Sequence, residues 1–257
     1  MKILSIKSIA KNYGGIRALD SCSFDVEEGT ITGLIGPNGA GKTTLFNVIS
    51  GFEKPERGSI YFEGNEITKF EPYDRVHLGL CRTFQITRLF SNMTALENLI
   101  VAKKVPNTYL EMLLEVFRGE KQAVQRSLEF LELVGMQDKK NTLARNLSYG
   151  QQKLLDLARA LATEPRLLLL DEPLAGVNPK MIETIKKKIL EIKKAGHTVL
   201  LIEHNLSAVM ELCDTVVVMD YGTKIAEGTP KKIQKDRRVI EAYLGAKHIQ
   251  NQISNTD

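Results

Sequence analysis

Long apolar runs are the first thing this sequence lacks. No stretch approaches the ~20 residues that a membrane span needs. The longest, Leu167–Leu170 and Val199–Ile202, are strand-sized. The opening Met1-Lys2-Ile3-Leu4 is broken by Ser5, Lys7 and Ser8, so no signal-peptide core is expected. Work at a membrane would therefore require a partner to carry the chain there. Cysteine is scarce: Cys22, Cys81 and Cys213 are odd in number, far apart and outside any C-x-x-C spacing. That argues against a disulfide framework and a zinc site, and fits a reducing cytosol. A strong excess of one charge is missing too. The net charge of +4 gives no footing for nucleic-acid binding by bulk electrostatics. What remains is ordinary for a globular protein: 257 residues, 43% hydrophobic and 26% charged. This is enough chain for one large α/β domain, or a domain with a sub-lobe.

The most informative stretch is Ile31–Thr44, ITGLIGPNGAGKTT. Ile31–Ile35 reads as a buried strand. Gly36-Pro37-Asn38-Gly39-Ala40-Gly41-Lys42-Thr43 then fits G-x-x-x-x-G-K-[ST], and Leu45–Ile49 continue at helical spacing. Glycines let the backbone turn tightly and aim successive N–H groups at a polyphosphate. The start of the next helix adds partial positive charge. Lys42 is expected to reach the β and γ phosphates, and Thr43 to hold Mg²⁺ through its hydroxyl.

Before this loop, Ile3–Ser8 and Ala18–Val26 read as strands of an antiparallel hairpin turning at Tyr13-Gly14-Gly15. Tyr13 could stack on an adenine or be an ordinary turn tyrosine, and position alone does not choose. After the loop, Gly58–Glu63 returns as a strand and Pro72–Leu78 as a short helix. Cys81–Gln85 is strand-like. On its own, Gln85 reads as a hydrogen-bonded turn residue more readily than as a ligand. From Thr94 to Val134 the pattern is helical, opened by the capping box Thr94-x-x-Glu97. Leu110, Leu113, Leu114 and Phe117 recur at helical spacing there, as do Leu128, Leu131 and Val134. Helices inserted between strands imply a sub-lobe over roughly 86–162.

Ser148 is a good N-cap for a helix running to about Ala162. The solid apolar run Arg166–Leu170 reads as a strand buried on both faces, and it ends in Asp171-Glu172. Pro179–Lys194 is a helix whose Lys186, Lys187 and Lys188 read as a solvated face. His197–Ile202 is a further core strand closed by Glu203-His204-Asn205. Helix Leu206–Cys213, strand Thr215–Met219, a hairpin turn at Tyr221-Gly222 into Lys224–Glu227, two short helices and a frayed tail at Gln250–Asp257 complete the chain. Three core strands thus deliver polar groups at their C-terminal ends, where open α/β sheets bind ligands. Asp171 would hold Mg²⁺ through water, and Glu172 would orient or deprotonate an attacking water. Phosphoryl transfer needs mainly such positioning and charge stabilisation.

This combination resembles the ATP-binding subunits of ABC transporters over nearly the whole chain, 1–257 as a single ATPase domain. Residues 36–43 match the phosphate loop, Gln85 the Q-loop glutamine, and Leu147-Ser148-Tyr149-Gly150-Gln151 the signature. Leu167–Glu172 match the acidic strand and His204 the switch histidine. The resemblance implies a P-loop NTPase core, a mostly parallel sheet with flanking helices. To this it adds an N-terminal antiparallel β subdomain and an inserted helical subdomain. It implies catalytic roles for Glu172, His204 and Gln85, and metal contacts from Thr43, Gln85 and Asp171. Nucleotide contacts would come from Tyr13, Gly36, Asn38, Gly39, Ala40, Gly41, Lys42, Thr43 and Thr44, with Ser148, Gly150 and Gln151 acting across a head-to-tail dimer. With the family in view, Tyr13 becomes the expected adenine-stacking aromatic.

The sequence departs from the family pattern twice. Tyr149 replaces the first glycine of L-S-G-G-Q, which requires that its φ not be positive. Asn178 stands where an aspartate is usual. Together with Arg82-Thr83-Phe84-Gln85, Ala175-Gly176-Val177-Asn178-Pro179 and Glu241-Ala242-Tyr243-Leu244-Gly245, these resemble the LivG-type ATPases of branched-chain amino acid importers. Related groups serve urea or amide import and lipopolysaccharide export. A soluble ABC ATPase of DNA repair or translation is the alternative of another class, ranked low for want of a long coiled-coil insertion. The implied setting is the cytoplasmic face of a membrane, as a peripheral subunit. The implied partners are a second ATPase subunit, identical or related, integral permeases docking at Arg88, Leu89 and Phe90, and indirectly a substrate-binding protein. Nucleic acid is not among them.

Overall fold

Alternating exposure along the first residues shows why the chain starts as a β-sheet. In the computed structural model, which describes residues 1–102 and 122–244, β1 (Lys2–Tyr13) and β2 (Ile16–Glu27) pair antiparallel around Gly14-Gly15. Ile3, Leu4, Ile6 and Ile9 of β1 and Leu19, Cys22, Phe24 and Val26 of β2 are buried. Both strands are longer than the apolar pattern alone marks, because backbone pairing continues to the turn after burial stops. β4 (Arg57–Phe62) and the short β5 (Asn65–Glu66) follow β1 in the order β2-β1-β4-β5.

The chain divides into two compact units, Met1–Pro72 with the chain from Thr198 onward, and Tyr73–His197. In the first, β3 (Ile31–Ile35) is buried at every residue and lies parallel to β8 (Thr198–Ile202) and β9 (Thr215–Asp220). A strand sandwiched this way has no wet face, which is why it reads as unbroken apolar sequence. β10 (Thr223–Gly228) folds back antiparallel on β9. Helix α1 (Lys42–Ser50) leaves the end of β3 and is closed by Gly51 in the left-handed conformation at φ 83°. After β8, Asn205 caps α7 (Leu206–Leu212) by accepting from the Ala208 N–H at 3.1 Å. The helices α8 (Pro230–Ile233) and α9, which includes 237–244, end the described chain.

The second unit starts with α2 (Pro72–His77), then β6 (Leu80–Arg82) and α3 (Ala95–Ala102). Helix α4 includes 122–133. Next come α5 (Tyr149–Leu161), β7 (Leu167–Asp171) and α6 (Pro179–Lys194). β6 runs parallel to β7 with Leu80, Cys81 and Arg82 opposite Leu167, Leu168 and Leu169. The expected strand to Gln85 stops at Arg82; one further bond, Thr83 N–H to Leu169 O at 2.9 Å, prolongs the pairing before the chain leaves as a loop. The capping box at Thr94 forms, with Glu97 N–H on Thr94 Oγ1 at 3.2 Å and Thr94 N–H on Glu97 at 2.7 Å. Leu131 and Val134 are fully buried and Leu128 is half-buried. Leu110, Leu113, Leu114 and Phe117 lie outside the described residues, as does the tail from Gln250.

The lysine run on α6 is not uniformly solvated. Lys186 is buried along its stem while its ammonium meets Glu183 at 2.9 Å. A four-carbon stem can cover apolar surface and still deliver its charge to an edge.

Candidate nucleotide site

In the first unit the phosphate loop is shaped by what its backbone touches. A Cβ at Gly36 would come within 2.1 Å of Met219 O, and one at Gly41 within 2.4 Å of Ala18 O. Gly41 also sits at φ 96°, immediately before α1. No other residue can pass so close to neighbouring backbone in that conformation. Lys42 is 6% exposed and donates to the carbonyls of Gly36 at 2.8 Å and Pro37 at 2.9 Å. Its ammonium thus bridges the loop that precedes it and stands where an anion would compete for it. Tyr13 lies at the end of β1, with its hydroxyl hydrogen-bonded to Glu53 and Thr44 and Lys11 Nζ 5.5 Å from its ring centroid. Partial burial, then the bond to Glu53, holds that phenol above its usual pKa. The residue remains 44% exposed, beside the residue that follows Thr43. His204 follows β8 as an exposed residue whose N–H donates to the Glu203 carboxylate at 3.2 Å.

The second unit gathers the other candidates. β7 ends at Asp171, and the Asp171 carboxylate pairs with Arg82 Nη2 at 2.7 Å, both side chains under a tenth exposed. The Asp171 N–H is also received by Thr83 Oγ1 at 3.4 Å. Glu172 adopts φ 49°, a conformation an L residue rarely holds, and its Oε2 accepts from Gln85 Nε2 at 2.8 Å. So Gln85 and Glu172, 87 positions apart in sequence, meet directly. Phe84 has two guanidiniums near its ring, Arg82 at 5.2 Å and Arg88 at 4.9 Å from its centroid. Fully buried Asn98 of α3 pins the end of this loop, accepting from Phe90 N–H at 2.9 Å and donating to Phe90 O at 3.1 Å.

The signature segment is a helix start with its own cap. Ser148 Oγ receives the Gln151 N–H at 3.4 Å, and Gln151 Oε1 receives the Ser148 N–H at 2.9 Å. Tyr149 is the first residue of α5 and its φ is not positive, which meets the condition its presence imposed. Its ring lies against Gly176, where a Cβ would approach Tyr149 Cε1 to 3.1 Å. Gly150 has a packing reason as well: a Cβ there would stand 2.6 Å from Met181 Cγ on α6. Asn178 caps α6, accepting from Met181 N–H at 2.9 Å with Pro179 at the first helical position.

Arg82, Asn98 and Lys153 take part in this architecture, and sequence reasoning had given none of them a role. Arg82 had a signal, since it opens the Arg-Thr-Phe-Gln segment; the other two had none.

The sequence profile described as "ABC transporter" matches residues 19–175. The chain belongs to the ABC transporter family. A second profile, "Branched-chain amino acid ATP-binding cassette transporter", matches 223–249 of this cassette. The cassette is 41% identical over 249 residues to the high-affinity branched-chain amino acid transport ATP-binding protein BraF of Pseudomonas aeruginosa, covering 95% of this chain and 98% of that one. It is 38% identical, with the same coverage, to LivG of Escherichia coli K12, which carries the same description. Among solved structures it superposes with TM-score 0.83 on a nucleotide-free ATP-binding cassette from an ABC transporter, at 39% identity over 95% of this chain and 99% of that one. The ADP conformation of the cassette MJ1267 gives TM-score 0.84 at 38% identity, with the same coverage. The α/β P-loop fold and the ATPase activity expected from the motifs are those of this family. Among the described residues no helix is long and apolar enough to cross a membrane.

Proposed function

We propose that this cassette is the ATP-hydrolysing subunit of a branched-chain amino acid importer. The observation that carries this is the match of residues 223–249, beyond the ATPase motifs, to the branched-chain profile. Relatives of that description, near 40% identical along almost the whole chain, support it.

ATP is bound by the phosphate loop, with Gly36, Asn38, Gly39, Ala40 and Gly41 offering backbone, Lys42 exchanging two loop carbonyls for phosphate oxygens, and Thr44 adjoining them. Tyr13 stacks on the adenine. Mg²⁺ is a hard cation that prefers phosphate and carboxylate oxygens and keeps several waters. Thr43, Gln85 and Asp171 offer oxygens of that kind, and the bond of Arg82 to Asp171 at 2.7 Å fixes the orientation of that carboxylate. Among the described residues no group of three or more acidic, His or Cys side chains is placed to hold a metal ion. Glu172 orients and deprotonates the attacking water, Gln85 positions Glu172, and His204 senses the γ-phosphate. Ser148, Gly150 and Gln151 complete the site of a second ATPase subunit, using the N-terminus of α5 toward phosphate. The subunit works peripherally at the cytoplasmic face, docked on permeases that receive substrate from a binding protein.

The variant Glu172→Gln tests the catalytic assignment. It should bind ATP as the native protein does, lose at least about a hundredfold in turnover, as loss of a general base does, and accumulate as an ATP-bound dimer on size-exclusion chromatography. Native turnover in that variant would remove Glu172 from the role. Leucine uptake in cells lacking the gene tests the transport assignment. Loss of urea or amide uptake instead would reassign the system while leaving the ATPase chemistry intact.

A further inference from the structure

We propose that Lys153 is a positioning residue for hydrolysis, fixing the backbone at Gln85 and Glu172 so that the Glu172 carboxylate is presented in one orientation. The inference rests on the role given above to Glu172 and goes beyond it by naming the group that holds it.

Lys153 is 7% exposed, in the second turn of α5. A buried ammonium is costly unless it is fully engaged. This one donates to Gln85 O at 2.7 Å and to Glu172 O at 3.4 Å, with the Tyr149 ring 5.7 Å away. The nearby carboxylate of Asp156 is itself bonded to Arg159 at 2.7 Å. Lys153 therefore spends its charge on two main-chain carbonyls, and they belong to the two residues whose side chains meet at 2.8 Å.

The backbone at Glu172 needs such an anchor. At φ 49° the residue holds a conformation that L side chains disfavour, and its carbonyl is one of the two that Lys153 attracts. Removing the ammonium frees the peptide to relax toward a common conformation, which swings the side chain. The loop at Gln85 would lose its anchor together with it. Lys153 and Tyr149 are also four residues apart on one helix face. The signature turn, the packing of Tyr149 on Gly176, Gln85 and Glu172 are thereby tied to a single side chain. A small cavity of about 20 Å³ borders Lys153, lined by Thr83, Asp156 and Asp171 among others. An arginine at this position keeps the charge and has N–H donors for the same two carbonyls.

Three variants, Lys153→Arg, Lys153→Gln and Lys153→Met, are measured in the full-length protein for ATP affinity, melting temperature and turnover against ATP concentration. ATP affinity should stay within about twofold in all three, because the phosphate loop is elsewhere. The kcat should fall in the order Arg, Gln, Met. Arginine should stay near native and methionine at least about tenfold lower at unchanged KM, as expected when a reacting group is displaced and ligand binding is left intact. If the methionine variant fails to fold, the glutamine variant gives the same comparison against arginine. Native kcat without the ammonium, or an effect expressed in KM and affinity, overturns the inference. So does a fall in kcat that arginine does not restore. Glu172→Gln in the same assay separates the two ideas. If it retains turnover, the role of Glu172 fails; if it is silent while the Lys153 variants are native, only the inference about Lys153 fails.

Discussion

At the scale of single residues, the nucleotide site is built from groups whose present partners foretell what a ligand must displace. Lys42 already holds two carbonyls of its own loop, so in the proposed site phosphate binding would be an exchange of acceptors for a buried cation. Tyr13 is different: its hydroxyl is tied to Glu53 and Thr44 while the residue stays 44% exposed. Such a ring is held still before anything stacks on it, so little side-chain entropy is lost on binding. An aromatic stack contributes about 0.5–1.5 kcal/mol beyond buried area. Tyr13→Ala should therefore weaken ATP about threefold to tenfold in equilibrium titration, while Tyr13→Phe, keeping the ring, stays close to native. Equal effects in both variants would assign Tyr13 to holding Thr44 through its hydroxyl instead of to stacking.

At the scale of elements, sequence and structure agree wherever the signal is local. Ile31–Thr44 spelled strand, loop and helix in order, and Ser148 announced a cap that closes at both ends. What stayed hidden depends on partners far along the chain. The hydrogen bond between Gln85 and Glu172 spans 87 positions, and the donation of Lys153 to Gln85 O spans 68. No periodicity encodes an interaction of that range. The same holds for Gly150, which looked like a phosphate ligand and proves also to be a slot for Met181. Asn178 stands where the family usually has an aspartate, and in the structure it caps α6. Losing such a cap costs about 1 kcal/mol, so Asn178→Ala should lower stability by about that much in urea unfolding. Asn178→Asp can accept the same N–H and adds a charge favourable to the helix dipole, so it should be at least as stable as native. A destabilised aspartate variant would mean that position 178 is chosen for something other than the cap.

At the scale of the whole molecule, hydrolysis matters only if its motion leaves the subunit. The segment after Gln85 is the one proposed to carry it: Ile86 is 78% exposed and Phe90 46%, while buried Asn98 bonds both the N–H and the carbonyl of Phe90. The segment's other end is Gln85, hydrogen-bonded to Glu172, so the proposed docking residues and the proposed catalytic glutamate share one short tether. If Phe90 serves only to reach a permease, Phe90→Ala should turn over ATP within about twofold of native as purified protein. In cells the same variant should lose leucine uptake about tenfold or more, the size of effect expected when an aromatic anchor is removed from an interface. Co-purification with the permeases should weaken in parallel. Impaired turnover in the isolated protein would place Phe90 in the internal packing of its own unit, and native uptake would move the docking surface away from this loop.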